Sequence, residues 1–316
     1  MKLQSPRIMM FVLIGVLFLS VSSVCAETAE EDYNRGLVYD EQGNLPQAIS
    51  DYTKAIEINP NDAKAYFNRG AVYTKQGNFT QAISDCTKAI EINPNYAEAY
   101  NNRGAAYTKQ GNFTQAISDC TKAIEINPNI AEAYFNRGLV YDKQGNLPQA
   151  ISDYTKGIAI NPNIANAYYG RSLVYDKQGN LPQAISDCTK AIEINPNYAE
   201  AYNNRGKVYY EEGNFTQAIS DYTKAIEINP NDAKAYNNRG LIYDKQGNLP
   251  QAISDYTKGI EINPNYAGTY NNRGVVYYFA KEYDKAWADV HKAEGLGYTV
   301  HPGFLNALKK ASGRDR

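Results

Sequence analysis

Small and apolar residues return along this chain with two nested rhythms. Within the stretch from Ala63 to Tyr96, one stripe joins Ala65, Tyr66, Gly70 and Tyr73, and a second joins Ala82, Ile83, Cys86, Ala89 and Ile90. Both follow the three-to-four-residue spacing of an amphipathic helix, with Ser84, Thr87, Lys88 and Glu91 expected on the wet side. The longer rhythm is a 34-residue copy. Pro60, Pro94, Pro128, Pro162, Pro196, Pro230 and Pro264 mark it, and copies begin at Ala29, Ala63, Ala97, Ala131, Ala165, Ala199, Ala233 and Ala267. A unit of two helices has too little apolar surface for a core of its own and must bury its stripe against the next unit. The pattern therefore predicts an all-α solenoid of eight helix pairs.

Punctuation within the unit agrees with that reading. Gly-Asn, from Gly43 to Gly247, stops the first helix and starts the second. Pro46, Pro148, Pro182 and Pro250 fall in the first turn of the second helix, where a missing N–H costs nothing. Asn-Pro then takes the chain out of helical geometry. The eighth copy departs most: Lys281-Glu282 replaces Gly-Asn, Tyr298 replaces the proline, and Trp287 enters. Beyond it, Pro302 to Ser312 reads as one further helix with Phe304, Leu305 and Leu308 on one side, placed to cover the open end. In the first copy Asp32 stands where the others carry a large aromatic, and a solvated outer face is expected there.

With Tyr66, Gly70 and Tyr73 in the first helix and Ala82, Cys86, Ala89 and Pro94 in the second, the unit resembles the tetratricopeptide repeat. The resemblance extends from residue 29 to about residue 300. It implies a right-handed superhelical solenoid of eight repeats with a C-terminal capping helix, serving as a scaffold that binds a peptide or protein in its concave groove. The organisation expected is residues 1–26 as a signal peptide, 27–300 as the array, and 301–316 as capping helix and tail.

The first segment carries an address. Lys2 and Arg7 precede an apolar run from Ile8 to Leu19, and Val24-Cys25-Ala26 stands before Glu27 in the manner of a cleavage site. Export to the periplasm or outside the cell is expected; an uncleaved anchor over residues 8–24 is the alternative, and only then is a membrane a partner.

Charge and chemistry narrow the function classes. The formal net charge is −2 and no basic block occurs, so nucleic acid is not expected as a partner. Cys86, Cys120 and Cys188 occupy one place in the unit, where Tyr52, Tyr154, Tyr222 and Tyr256 stand elsewhere, so they read as core residues and not as disulfides. His291 and His301, the two histidines, join no acid–base constellation, and no metal spacing, nucleophile elbow or phosphate loop is present. No enzyme, cofactor or metal is expected.

Two sets of polar residues repeat. Each unit carries an arginine just before its first-helix glycine place and an aspartate in its second helix. Arg69 with Asp85, Arg103 with Asp119 and Arg137 with Asp153 are typical, and structural ion pairs are expected. The other set lies on the opposite side of the first helix: Asn34, Asn68, Asn102, Asn136, Asn204, Asn238 and Asn272, interrupted by Gly170. A carboxamide donates and accepts, so a row of them suits the backbone of an extended chain. It resembles the asparagine ladder in the repeats of O-linked GlcNAc transferase, which implies a grip on main chain. Tyr33, Phe67, Phe135 and Tyr169 beside the row add rings for the same groove. The other reading of the asparagine row is hydrogen bonding to water or the next layer, repeated by duplication; the rings could instead stack on sugars in a polysaccharide-handling export assembly, and the near-identical units could self-associate.

Overall fold

The computed structural model describes residues 28–314, so the expected signal segment lies outside the described residues. The chain divides into two compact units, residues up to Asn136 and residues from Arg137 onward, and each is described by itself.

The first unit holds α1 (Ala29–Glu41), α2 (Leu45–Ile58), α3 (Ala63–Lys75), α4 (Phe79–Ile92), α5 (Ala97–Gln110), α6 (Phe113–Ile126) and the start of α7 (Ala131–Lys143). The second holds the rest of α7, then α8 (Leu147–Ile160), α9 (Ala165–Lys177), α10 (Leu181–Ile194), α11 (Ala199–Glu211), α12 (Phe215–Ile228), α13 (Ala233–Lys245), α14 (Leu249–Ile262), α15 (Ala267–Phe279), α16 (Tyr283–Gly295) and α17 (Pro302–Ser312). Every regular element among the described residues is a helix. In both units a helix packs on its hairpin partner and on the first helix of the next pair, as α3 does with α4 and α5, and α11 with α12 and α13. This is the series packing expected of an all-α repeat array.

The turns explain the element boundaries. Each Gly-Asn glycine sits at positive φ, +80° at Gly111 for example, a conformation that costs an L side chain and closes the hairpin. In the last hairpin Lys281 takes that place at φ 62°, the one non-glycine residue with positive φ among those described. Asp62 and Asp232 cap α3 and α13, each accepting from two backbone N–H groups, and Thr28 with Glu31 forms a reciprocal capping box at α1.

The core is built from small residues between helices and larger ones between pairs. Ala65, Ala82 and Ala89 are fully buried. A side chain on Gly70 would meet Cys86 Sγ at 3.2 Å and the Ala82 carbonyl at 3.3 Å, so glycine lets α3 and α4 close up. Gly170, the break in the asparagine row, has a similar cause. A Cβ there would stand 2.8 Å from the ring of Tyr154. The three cysteines are free and buried, and burial pushes the Cys86 thiol up to about 12, which fits a core role.

Helix α17 packs on α16 and covers the end of the second unit. Trp287, Val290, Val300 and Leu308 form the cluster, with Phe304 and Leu305 against it, and the Trp287 indole donates to Ser312 Oγ at 3.0 Å. At the other end the expectation for Asp32 needs correction. It is buried, because its carboxylate turns back onto the Arg35 guanidinium one helical turn away.

Candidate functional site

The arginines and aspartates meet in each repeat as a two-pronged fork. Arg69 donates through Nε and Nη2 to the two oxygens of Asp85, both at 2.8 Å; Arg103 does the same to Asp119 at 2.7 and 2.8 Å, and Arg137 to Asp153 at 2.7 and 2.9 Å. Arg35–Asp51, Arg171–Asp187, Arg205–Asp221, Arg239–Asp255 and Arg273–Asp289 repeat the geometry. The carboxylates are nearly buried and the guanidiniums mostly so, so loss of either partner would leave the other charge buried and unpaired. At Arg103 the Asp119 hydrogen bond outweighs the cost of burial and holds the guanidinium above its ordinary pKa.

A third acceptor was not visible in the unit taken alone. Arg69 Nη1 donates to Thr53 Oγ1 at 2.9 Å, Arg103 to Thr87 at 3.0 Å, and Arg205 to Thr189 at 2.9 Å. Arg171, Arg239 and Arg273 reach Thr155, Thr223 and Thr257 in the same way. Each threonine belongs to the preceding repeat, so the arginine ties two repeats together. Thr87 therefore does not simply face water: its hydroxyl also donates to the Ile83 carbonyl, which turns its oxygen lone pair toward Arg103. Tyrosine faces flank the same guanidiniums, with Tyr202 at 5.6 Å and Tyr209 at 5.9 Å from Arg205.

On the opposite side, the amides are largely tied to neighbouring helices. Asn68 Nδ2 donates to the Tyr33 hydroxyl at 2.9 Å, Asn136 to Asn101 Oδ1 at 2.9 Å, and Asn272 to Asn237 Oδ1 at 3.3 Å. All three bonds run from the sixth place of one repeat to the fifth of the repeat before, and they bury Asn101 and Asn237. Asn204 is buried and reaches Ser172 Oγ and Cys188 Sγ at 3.4 Å each, and Asn238 bonds the Tyr222 hydroxyl. Asn34 is exposed and Asn102 half-buried. A carboxamide has a second N–H and an oxygen, so each of these residues retains capacity after its internal bond.

Of the rings, Tyr33 packs on Tyr52 at 5.8 Å between centroids. Phe67 packs on Tyr96 at 4.9 Å and Tyr169 on Tyr198 at 5.0 Å. Phe135 is half-buried. Tyr96 and Tyr198 come from the turn that follows each repeat, so the last residue of a unit covers the fifth. Asp62 and Asp232 replace that covering residue at two turns. Asp232 accepts from Asn203 Nδ2 while it caps α13, and leaves open a cleft of about 700 Å³ in the second unit. Tyr169, Asn203, Lys207, Asp232, Lys234 and Asn238 line it. In the first unit Asp62 opens a cleft of about 560 Å³ with Asn59, Asn61, Lys64, Asn93 and Tyr96. The signal in the sequence is an aspartate at a place held by Tyr, Ile or Val in the other repeats. Among the described residues no group of His, Cys, Asp and Glu is placed to hold a metal, and no helix is long and apolar enough to cross a membrane.

Comparison with known proteins gives one family. The profile described as "Tetratricopeptide repeat" matches residues 63–96, 97–130, 131–164 and 233–266, and a second profile of that description matches 255–288. The profile described as "TPR repeat" matches 36–77, 173–213 and 206–247. No curated protein matches the chain. Among solved structures, a tetratricopeptide repeat protein from Parabacteroides merdae is 23% identical with a TM-score of 0.58, over 78% of this chain and 98% of that one. A chain of the APC/C Cut9-Hcn1 hetero-tetramer is 18% identical with a TM-score of 0.62, over 95% of this chain and 59% of that one. PilF from Pseudomonas aeruginosa is 19% identical with a TM-score of 0.59, over 64% and 92%. At these identities the likeness is one of fold.

Proposed function

Since the chain belongs to the tetratricopeptide repeat family, whose members are generally non-catalytic scaffolds for protein interaction, we propose that it holds an extended segment of a partner protein along the first-helix face of its repeats. The observation that carries this reading is the cleft at α9, α11 and α13. It is roomy enough for several residues of an extended chain. Its wall offers one ring, Tyr169, among amides with unused hydrogen-bonding capacity, Asn203 and Asn238. Main-chain groups of a partner find both donors and acceptors there, and the ring supplies an apolar anchor. Lys207 and Lys234 on the rim add positive charge for an acidic side chain or a carboxylate.

We further propose that the scaffold works outside the cytoplasm, on the strength of the signal-like segment from Lys2 to Ala26. N-terminal sequencing of protein recovered from the periplasm or medium checks this, with Glu27 expected as the first residue.

The binding reading is tested with the full chain, a panel of short unstructured peptides and a panel of soluble oligosaccharides. Tyr169→Ala with Asn238→Ala is expected to weaken the best peptide at least about tenfold, with helical content unchanged. Peptide affinity unaltered in that variant sinks the assignment of the cleft. Binding of oligosaccharide in preference to every peptide moves the function to glycan handling.

A further inference from the structure

A ladder of charge runs along the far ends of the first helices, between the twelfth residue of one repeat and the thirteenth of the next. Lys75 Nζ lies 2.6 and 2.8 Å from the two oxygens of Asp40, and Lys177 Nζ lies 2.7 Å from Asp142. Where the twelfth residue is Tyr210, Lys245 lies over its ring at 4.6 Å. Even a mismatch is repaired. Asp176 faces a repeat whose thirteenth residue is Glu211, and Lys207 from the ninth place bridges the two acids at 2.8 and 3.1 Å.

Asp244 is the exception. It is half-buried, yet no hydrogen bond or ion pair to its carboxylate occurs among the described residues, and burial alone holds its carboxyl above the ordinary value. The next repeat supplies Phe279 at the thirteenth place and Val275 at the ninth, so neither rung provides a cation. Phe279 is 61% exposed, the most open of the large apolar side chains among the described residues, and its ring meets that of Tyr278 edge to face at 5.3 Å. Helices α13 and α15 pack as neighbours, and Phe279 holds toward Asp244 the same pair of repeat positions that Lys75 holds toward Asp40 and Lys245 toward Tyr210.

We propose that Asp244 and Phe279 form a subsite for a lysine or arginine side chain of a bound polypeptide segment. The cationic head takes the place on Asp244 that a ladder lysine takes elsewhere, and the stem lies along the Phe279 ring. Charge complementarity selects the occupant: the array leaves one of its twelfth-place carboxylates without a cation, beside an apolar surface that a basic side chain can cover. The proposal names the side chain preferred by the partner and so rests on the scaffold reading above.

The test uses the full chain and unstructured Gly/Ser peptides that differ at one central residue: lysine, norleucine or glutamate. Affinity is read from the fluorescence anisotropy of dye-labelled peptides in every variant, and the place of binding in the wild type by NMR through the ring signals of labelled phenylalanine. The lysine peptide is expected to shift the Phe279 signals and to bind roughly tenfold more tightly than the norleucine peptide. Asp244→Asn abolishes that preference. So does Phe279→Lys, which restores the missing rung within the chain, whereas Asp142→Asn, which lies on a filled rung, leaves it intact. A wild type that binds the three peptides equally overturns this subsite and leaves the scaffold reading standing. Survival of the preference in both Asp244→Asn and Phe279→Lys also overturns it. Failure of the wild type to bind any of the peptides overturns the subsite, and failure across the wider panel overturns the scaffold reading.

Discussion

A guanidinium that satisfies three acceptors on two repeats cannot be exchanged for an ammonium without leaving some of them empty. Arg205→Ala leaves Asp221 buried and unpaired and frees Thr189, and is expected to cost about 3–5 kcal/mol. Arg205→Lys recovers only part, because a point charge does not span both carboxylate oxygens. Lys190→Ala removes an exposed pair with Glu193 and is expected to stay within about 0.5 kcal/mol. Urea titration of the three variants checks the order. Acid acts on two aspartates in opposite senses. The hydrogen bond from Arg35 holds the Asp51 carboxyl below its ordinary value, so its contribution is present above the unfolded pKa and lost as pH falls through the folded one. Asp244 is held above its ordinary value, so ionisation costs the folded state stability as pH rises from the unfolded pKa through the folded one. Asp51→Asn should lower the melting temperature at pH 7, and Asp244→Asn should raise it; both differences should shrink near pH 3 in calorimetry. The Arg–Asp pairing was legible because both residues lie in the same unit on facing stripes. Threonine as third acceptor was not, because the helical projection of one unit puts Thr87 on the wet side and only the next repeat brings Arg103 to it.

Helix boundaries were the most legible feature, since Gly-Asn, Asn-Pro and first-turn proline each act through their own backbone. The eighth repeat shows what happens when that chemistry is lost. Lys281 adopts the left-handed conformation that glycine holds in the other hairpins, and Lys281→Gly is expected to stabilise the chain by about 1 kcal/mol. The terminal helix depends on contact, not on propensity. Leu308 is fully buried between α17 and α16, and Leu308→Ala is expected to cost about 2–5 kcal/mol and to expose Trp287 to quenchers. The amide row was less legible. Periodicity places Asn68 and Asn136 on one face correctly, but it contains nothing about the distance from the sixth place of one repeat to the fifth of the one before. That distance decides that Tyr33 and Asn101 receive their protons. The clefts at Asp62 and Asp232 escaped for a related reason: they arise from what two turns lack, and attention to repetition hides a departure from it.

At the scale of the molecule, stability accumulates by neighbours and not through one core. Within each unit, neighbouring repeats share apolar surface and an arginine clamp, so unfolding in denaturant is expected to be broad and to proceed from weaker stretches. Hydrogen exchange read repeat by repeat checks this, with slowest exchange expected away from α1. The clamps have a further consequence at six of the junctions, where the threonine handed forward and the arginine that receives it are the same two residue types in the same two places. A repeat that carries this threonine can therefore precede any repeat that carries the arginine without leaving that donor unused, whereas the eighth, with His291 at the threonine place, can only come last. Recombination between near-identical gene segments is therefore expected to be tolerated: loss or gain of one whole segment, such as that encoding residues 63–96, rejoins a matching edge to a matching edge. Natural variants of this protein can differ in length by whole repeats while each remaining joint stays the same.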